Sequence, residues 1–174
     1  MELLDVMLKR RSIRKYTGNP VSEEKIDKIL KAGLLSFSSR NFDPWEFIVV
    51  KDKNTLCSLS QCKAAGSAML AEADCAIVVI GDAEKADVWV EDCSIAMTYM
   101  HMMAAEQGVG SCWIQCRLRQ TSEGESSERY VKDLLSIPEK YGVEAILSLG
   151  IAEQEREPKK IDDIDITKIH QEKY

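Results

Sequence analysis

The chain has 174 residues, 45% hydrophobic and 30% charged, the proportions of a soluble globular protein large enough to bury a core. Its 23 lysines and arginines face 29 aspartates and glutamates, and a net charge of -6 argues against a general nucleic-acid binder. No apolar run reaches the length of a membrane span, and Glu2 and Asp5 near the start are unlike a signal peptide.

Leu3, Leu4, Met7 and Leu8 recur at helical spacing and predict a short amphipathic helix. It runs into Lys9-Arg10-Arg11-Ser12-Ile13-Arg14-Lys15-Tyr16, an octet with five cations. Thr17-Gly18-Asn19-Pro20 then predicts a turn. A dense basic cluster in an acidic chain suits a small anion: arginine binds phosphate bidentately, and Ser12 can add a neutral hydrogen bond. The same octet also reads as a solvated helix end complementing its own dipole.

Ser22 is a candidate N-cap, with Glu23 and Glu24 in the first helical turn. Ile26, Ile29, Leu30, Gly33 and Leu34 form one face of that helix. Residues 36–44 predict a loop, and 45–50 a buried strand. Residues 55–73 predict one or two short helices interrupted near Gly66. The unbroken apolar run at 75–81 is the clearest central strand. Residues 87–107 make the longest helix, apolar around much of its circumference, and therefore buried centrally or against a partner subunit. Gly108 and Gly110 end it. A strand at 111–116, a polar loop at 118–127, a helix to about 135 and a last strand at 143–151 follow. The charged tail, 152–174, is expected to run extended over a surface. Helices alternating with strands indicate one domain, 1–174, of α/β or α+β class.

Conventional site motifs are missing. Gly108-x-Gly110 begins like a dinucleotide fingerprint, but position 113 is Trp, and the glycines follow a helix and precede a strand. There is no Walker lysine loop and no His-Glu-x-x-His zinc helix, so no metal is expected. His101 stands alone on its helix and reads as a core or interface histidine. The six cysteines (57, 62, 75, 93, 112 and 116) contain no Cys-x-x-Cys pair. With no secretion signal they are expected to be reduced thiols in a cytoplasmic protein.

Four stretches in order then carry a resemblance. Arg10 to Tyr16, Ser38-Ser39-x-Asn41-x-x-Pro44-Trp45-x-Phe47, Gly108-x-Gly110-Ser-x-Trp113-Ile114 and Leu149-Gly150 resemble the motifs of the FMN-dependent nitroreductases, close to end to end. The ending, Lys168 to Tyr174, is similar to that of the shorter, anaerobe-type members.

The resemblance implies an α+β nitroreductase-like fold, a central mainly antiparallel sheet flanked by helices, and an intertwined homodimer with FMN in its cleft. It implies that Arg10, Arg11, Ser12 and Arg14 hold the phosphate and ribityl end. Ser38, Ser39 and Asn41 would border the ring from the other subunit, and Trp113, Ile114, Gln115 and Cys116 would run behind it. Lys159 or Lys160 would close the phosphate site. Arg40, Phe42 and Asp43 would shape the substrate pocket. Hydride would pass from NADH or NADPH through flavin N5 to a nitroaromatic, quinone or similar small acceptor, by a ping-pong mechanism and with no acid-base catalytic residue. Reductive dehalogenation, ene-type reduction and non-catalytic flavin binding are the alternatives on this fold. The chain departs from the family's usual pattern at Phe37, Arg40, Asp43 and Cys116.

Overall fold

A computed structural model describes residues 2–174. Five helices and four strands follow one another: α1 (Leu3–Lys9), α2 (Glu23–Leu34), β1 (Trp45–Val50), α3 (Lys53–Leu59), β2 (Cys75–Asp82), α4 (Trp89–Glu106), β3 (Gly110–Gln115), α5 (Ser127–Leu135) and β4 (Tyr141–Gly150). Short 3-10 turns lie at Ser39–Asn41, Ala68–Ala71, Ile161–Asp163 and Ile166–Lys168. The strands order as β1-β2-β4-β3, and each neighbouring pair is antiparallel. The alternation of strands and helices therefore builds an antiparallel sheet, because β4 inserts between β2 and β3 while α4 spans the gap.

Both sheet faces are covered, which explains the unbroken apolar runs. Ala76, Val78, Ile80, Ile114 and Ile146 pack on one side with Leu56, Leu59, Leu70 and Val131. Ile77, Val79, Ala145 and Leu147 pack on the other with Ile29, Ala96, Met97 and Met100. Each Val, Leu, Ile or Met side chain among these that is fully withdrawn from water contributes about 1.5–3 kcal/mol before entropy is counted. All ten residues of β4 are buried. In α2, the backbone at Gly33 lies so close to Met100 and Phe47 that a Cβ there would sit 2.9 Å from each, so α2 and α4 pack tightly.

The boundaries differ from expectation in small ways. Ser22 occupies the N-cap of α2, but its side chain makes no capping bond. At α3 and α5, by contrast, the Thr55 amide donates to the Asp52 side chain and the Arg129 amide donates to the Ser126 hydroxyl. In α1 only Val6 is buried, while Leu3 is 65% and Leu4 and Met7 each 48% exposed. The tail is exposed throughout from Glu153, with Ile161, Ile164, Ile166 and Ile169 open to solvent.

Candidate functional site

The octet is an extended segment laid across the ends of β3 and β4. Helix α1 stops at Arg10, whose amide bonds back to Val6. The Ile13 amide donates to the Ser111 carbonyl at 2.9 Å, and Ser12 bridges Ser111 in parallel. Further along, the Thr17 amide donates to Ile151 and the Glu153 amide to Lys15. The tail then returns, and the Lys159 amide donates to Leu8 at 2.9 Å. The octet is thus held at both ends by backbone bonds, and its cationic side chains are not needed to hold it.

Those side chains lie around two clefts. One, of about 310 Å³, is lined by Lys9, Arg10, Arg11, Gly108, Ser111 and Arg156 among others. The second, of about 240 Å³, is lined by Ile13, Arg14, Lys15, Gln154 and Arg156. Among the described residues, none of the octet's five cations, and not Arg156, forms an ion pair, although ion pairs occur elsewhere on the chain. Arg11 donates to the Glu157 carbonyl instead, and Arg10 points its Nη1 at His101. A cluster of uncompensated positive charge that borders concave surface is suited to bind an anion. Lys159 and Lys160 line neither cleft. Arg156 lines both, and sequence reasoning missed it, because a lone arginine in a charged tail carries no local signal.

Residues 36–43 form a strained loop. Arg40, Asn41 and Asp43 have φ of 55°, 54° and 45°, in the left-handed region that non-glycine residues rarely occupy. Local bonds hold them there. The Ser38 hydroxyl donates to Asp43 at 2.6 Å and accepts from the Asp43 amide at 2.9 Å. The Ser39 amide donates to buried Asp92 on α4 at 2.8 Å. The Arg40 guanidinium lies 5.7 Å from the centre of the Phe42 ring. Strain of this kind costs energy and persists where the surroundings enforce it. Neither cleft beside the octet is lined by Ser38, Ser39, Arg40, Asn41, Phe42 or Asp43.

At the end of β3, side chains form a polar chain. Trp113 donates its indole N–H to Gln115 at 2.8 Å, and the Gln115 amide group donates to Glu144 Oε1 at 3.0 Å. Glu144 is the extra residue of a β-bulge: Val79 pairs with Ala145 and Ile80 with Val143. The bulge turns its carboxyl toward Gln115. Burial pushes that carboxyl above its ordinary pKa, and its second oxygen has no partner. Ile114 and Cys116 face the opposite side, in the core. The Cys116 thiol donates to the Ile114 carbonyl at 3.8 Å, and the neighbouring Cys62 thiol together with burial raises its pKa well above the ordinary value. All six cysteines are free thiols, and the described residues contain no cluster able to hold a metal ion.

The fold and site define an α+β protein with a helix-covered antiparallel sheet and a cleft lined by basic side chains at the strand ends. The family model described as Nitroreductase family matches residues 7–65 and 58–151. The chain belongs to the nitroreductase family. It is 46% identical to the "FMN-dependent Nitroreductase" of Clostridium difficile R20291, a solved structure with TM-score 0.96 in which 98% of this chain covers 99% of that one. It is 38% identical, over 99% of both chains, to an Archaeoglobus fulgidus protein named "Putative NADH dehydrogenase/NAD(P)H nitroreductase". Over 91 residues, 52% of this chain and 36% of the other, it is 31% identical to the "FMN reductase [NAD(P)H]" of Bacillus subtilis.

Proposed function

We propose that this chain is an FMN-dependent oxidoreductase that passes hydride from NADH or NADPH to a small electron-poor acceptor. Family membership and the relatives' names support the coarser part, an NAD(P)H-dependent flavin oxidoreductase. The observation that carries the reading is the unpaired basic octet beside its cleft, in a chain of net charge -6. Its arginine donors suit the phosphate of a mononucleotide. Arg10, from this cleft, and Arg14, from the second, would supply charge-assisted hydrogen bonds to the phosphate, and Ser12, which lines neither cleft but lies between them in the chain, would add a neutral one. Arg156 would add a further cation from the tail.

Bound FMN would supply N5, which accepts and releases a hydride. The chain's part is positional. Trp113 to Cys116 would lie behind the ring, with Gln115 fixed by the Trp113 and Glu144 bonds so that the strand end cannot shift. Fixed dipoles of this kind stabilise developing charge without reorganising. The strained loop would deliver Ser38, Ser39 and Asn41 to the ring, and Arg40, Phe42 and Asp43 to the pocket mouth.

A homodimer is part of the same reading. Leu3, Leu4 and Met7 of α1, the four exposed tail isoleucines and exposed Leu35 and Phe37 are apolar surface that a second copy would cover. Because the 36–43 loop lines neither octet cleft, a second copy would be needed to join the two half-sites.

The test is direct. Purified protein should be yellow, release FMN on denaturation, and lose its flavin absorbance when NADH or NADPH is added without oxygen. Absorbance should return on adding a nitroaromatic or quinone. Protein that takes up no FMN defeats the reading; flavin that NAD(P)H cannot bleach leaves a binding protein and not an oxidoreductase.

A further inference from the structure

His101 is the buried histidine of α4, and its two ring nitrogens have different neighbours. Nε2 lies 3.0 Å from Arg10 Nη1, and Nδ1 lies 2.7 Å from Ser111 Oγ. A guanidinium only donates, and it stays protonated at any pH the fold survives. Nε2 must therefore accept, so it carries no proton. The neutral ring then holds its hydrogen on Nδ1 and donates it to Ser111. Burial, with the Arg10 charge second, pushes the ring's pKa down to about 4. Arg10 is the charged group that bears on it, and Ser111 is neutral.

Ser111 closes the arrangement. Its carbonyl accepts from the Ile13 amide, and its backbone bridges Ser12. One strand residue therefore fixes the octet's backbone directly and the Arg10 side chain through His101. The choice of a neutral acceptor has a consequence. A carboxylate in this place would hold Arg10 equally well but would cancel its charge and compete with an incoming anion. An imidazole orients the guanidinium and leaves the whole charge available.

We propose that His101 is a positioning residue for anion binding: a neutral acceptor that pre-orients Arg10 toward the phosphate of the bound mononucleotide. This rests on the FMN reading above. Ordering a long side chain in advance removes part of the entropy otherwise lost on binding.

Two measurements test it. The first is flavin release, read as recovered flavin fluorescence on dilution of the holoprotein, and displacement of FMN by riboflavin. His101→Gln should bind FMN within about threefold of wild type, since its carbonyl can accept from Arg10 and its amide can donate to Ser111. His101→Leu should weaken FMN roughly tenfold, the scale of one hydrogen bond to a charged group, and leave riboflavin within about twofold. His101→Glu should weaken FMN at least as much, by neutralising Arg10. Equal losses for FMN and riboflavin, or no loss in His101→Leu, would overturn the proposal. The second is the ¹⁵N spectrum of the wild-type histidines, which reads the tautomer whether or not flavin binds. An unprotonated Nε2 and a protonated Nδ1, unchanged between pH 8 and pH 6, are expected. A protonated Nε2, or an imidazolium at pH 6, overturns the geometry. Wild-type protein with the expected tautomer but no FMN uptake overturns the flavin reading and the phosphate-directing role with it.

Discussion

The ring of Tyr16 lies against the backbone of Gly150 so closely that a Cβ at 150 would come within 2.6 Å of Tyr16 Cδ1. The Tyr16 hydroxyl donates to the Ile13 carbonyl at 3.0 Å and lies 2.7 Å from the Ser148 hydroxyl. Tyr16 is thus the pin that fastens the basic octet to β4. Its neighbour at position 150 must lack a side chain because no volume remains for one. Gly150→Ala should destabilise the fold by about 1–3 kcal/mol, the usual cost of overpacking a core, and should loosen FMN binding as well. Thermal melting and flavin release on dilution would measure both. A stable variant with unchanged flavin affinity would show that the octet does not depend on this contact.

Arg10 and Arg14 are expected to read phosphate and not the flavin ring. Arg10→Ala and Arg14→Ala should each weaken FMN binding by roughly 1.5–3 kcal/mol, the scale of charge-assisted hydrogen bonds. Riboflavin, which lacks the phosphate, should respond much less to either change. Matched losses for the two flavins would mean that the arginines act through the fold. The comparison has force because neither side chain is tied into an ion pair whose loss could mimic the effect.

Much of this was legible locally. The central run at 75–81 and the helix at 87–107 appear as Cys75–Asp82 and Trp89–Glu106, because burial writes a period of two or 3.6, or no break at all, into neighbouring residues. The family motifs were legible for a similar reason: each is a short contiguous string. What was not legible is contact between distant segments. Arg10 and His101 are 91 residues apart, and nothing near either one announces the other. Arg156 reaches the clefts because the tail folds back on α1 through the Lys159 amide, a backbone bond without side-chain signature. Glu144 reads as a polar interruption in an apolar strand; only the bulge in its pairing with β2 shows why it is tolerated.

Glu144 gives a prediction with a definite sign. Burial raises its folded pKa above that of the unfolded chain. The folded state therefore holds its proton to higher pH than the unfolded state does. Across that interval the native form binds more protons, so this group's contribution falls as pH rises. Above the folded pKa the buried carboxylate is a standing cost. Glu144→Gln removes the titration while keeping an oxygen to accept from Gln115. Its melting temperature relative to wild type should rise between pH 5 and pH 8. Differential scanning fluorimetry across that range would check this, and a constant difference would show that Glu144 is not a titrating burden. His101 works the other way, since its folded pKa is lowered to about 4. Stability from the neutral imidazole is present above about pH 6.5 and is lost as pH falls toward 4.

Turnover is expected to be ping-pong. Helix α4 ends at Glu106 and β3 begins at Gly110, so Gly108 lies in a helix-to-strand turn and Gly110 opens the strand. A dinucleotide fingerprint needs the reverse order, in which the glycines open a helix whose N-terminus faces the pyrophosphate. This glycine pair therefore offers no dinucleotide platform beside the proposed flavin site. Nicotinamide and acceptor would both have to stack on the one open face of the ring and visit it in turn. Such an order works because a redox cofactor stores the electron pair while the first product leaves. Double-reciprocal plots at several fixed acceptor concentrations should give parallel lines. Each substrate should inhibit at high concentration by occupying the form that cannot react with it. Intersecting lines, together with flavin that stays oxidised under NAD(P)H until acceptor is added, would require a ternary complex and a separate nicotinamide site.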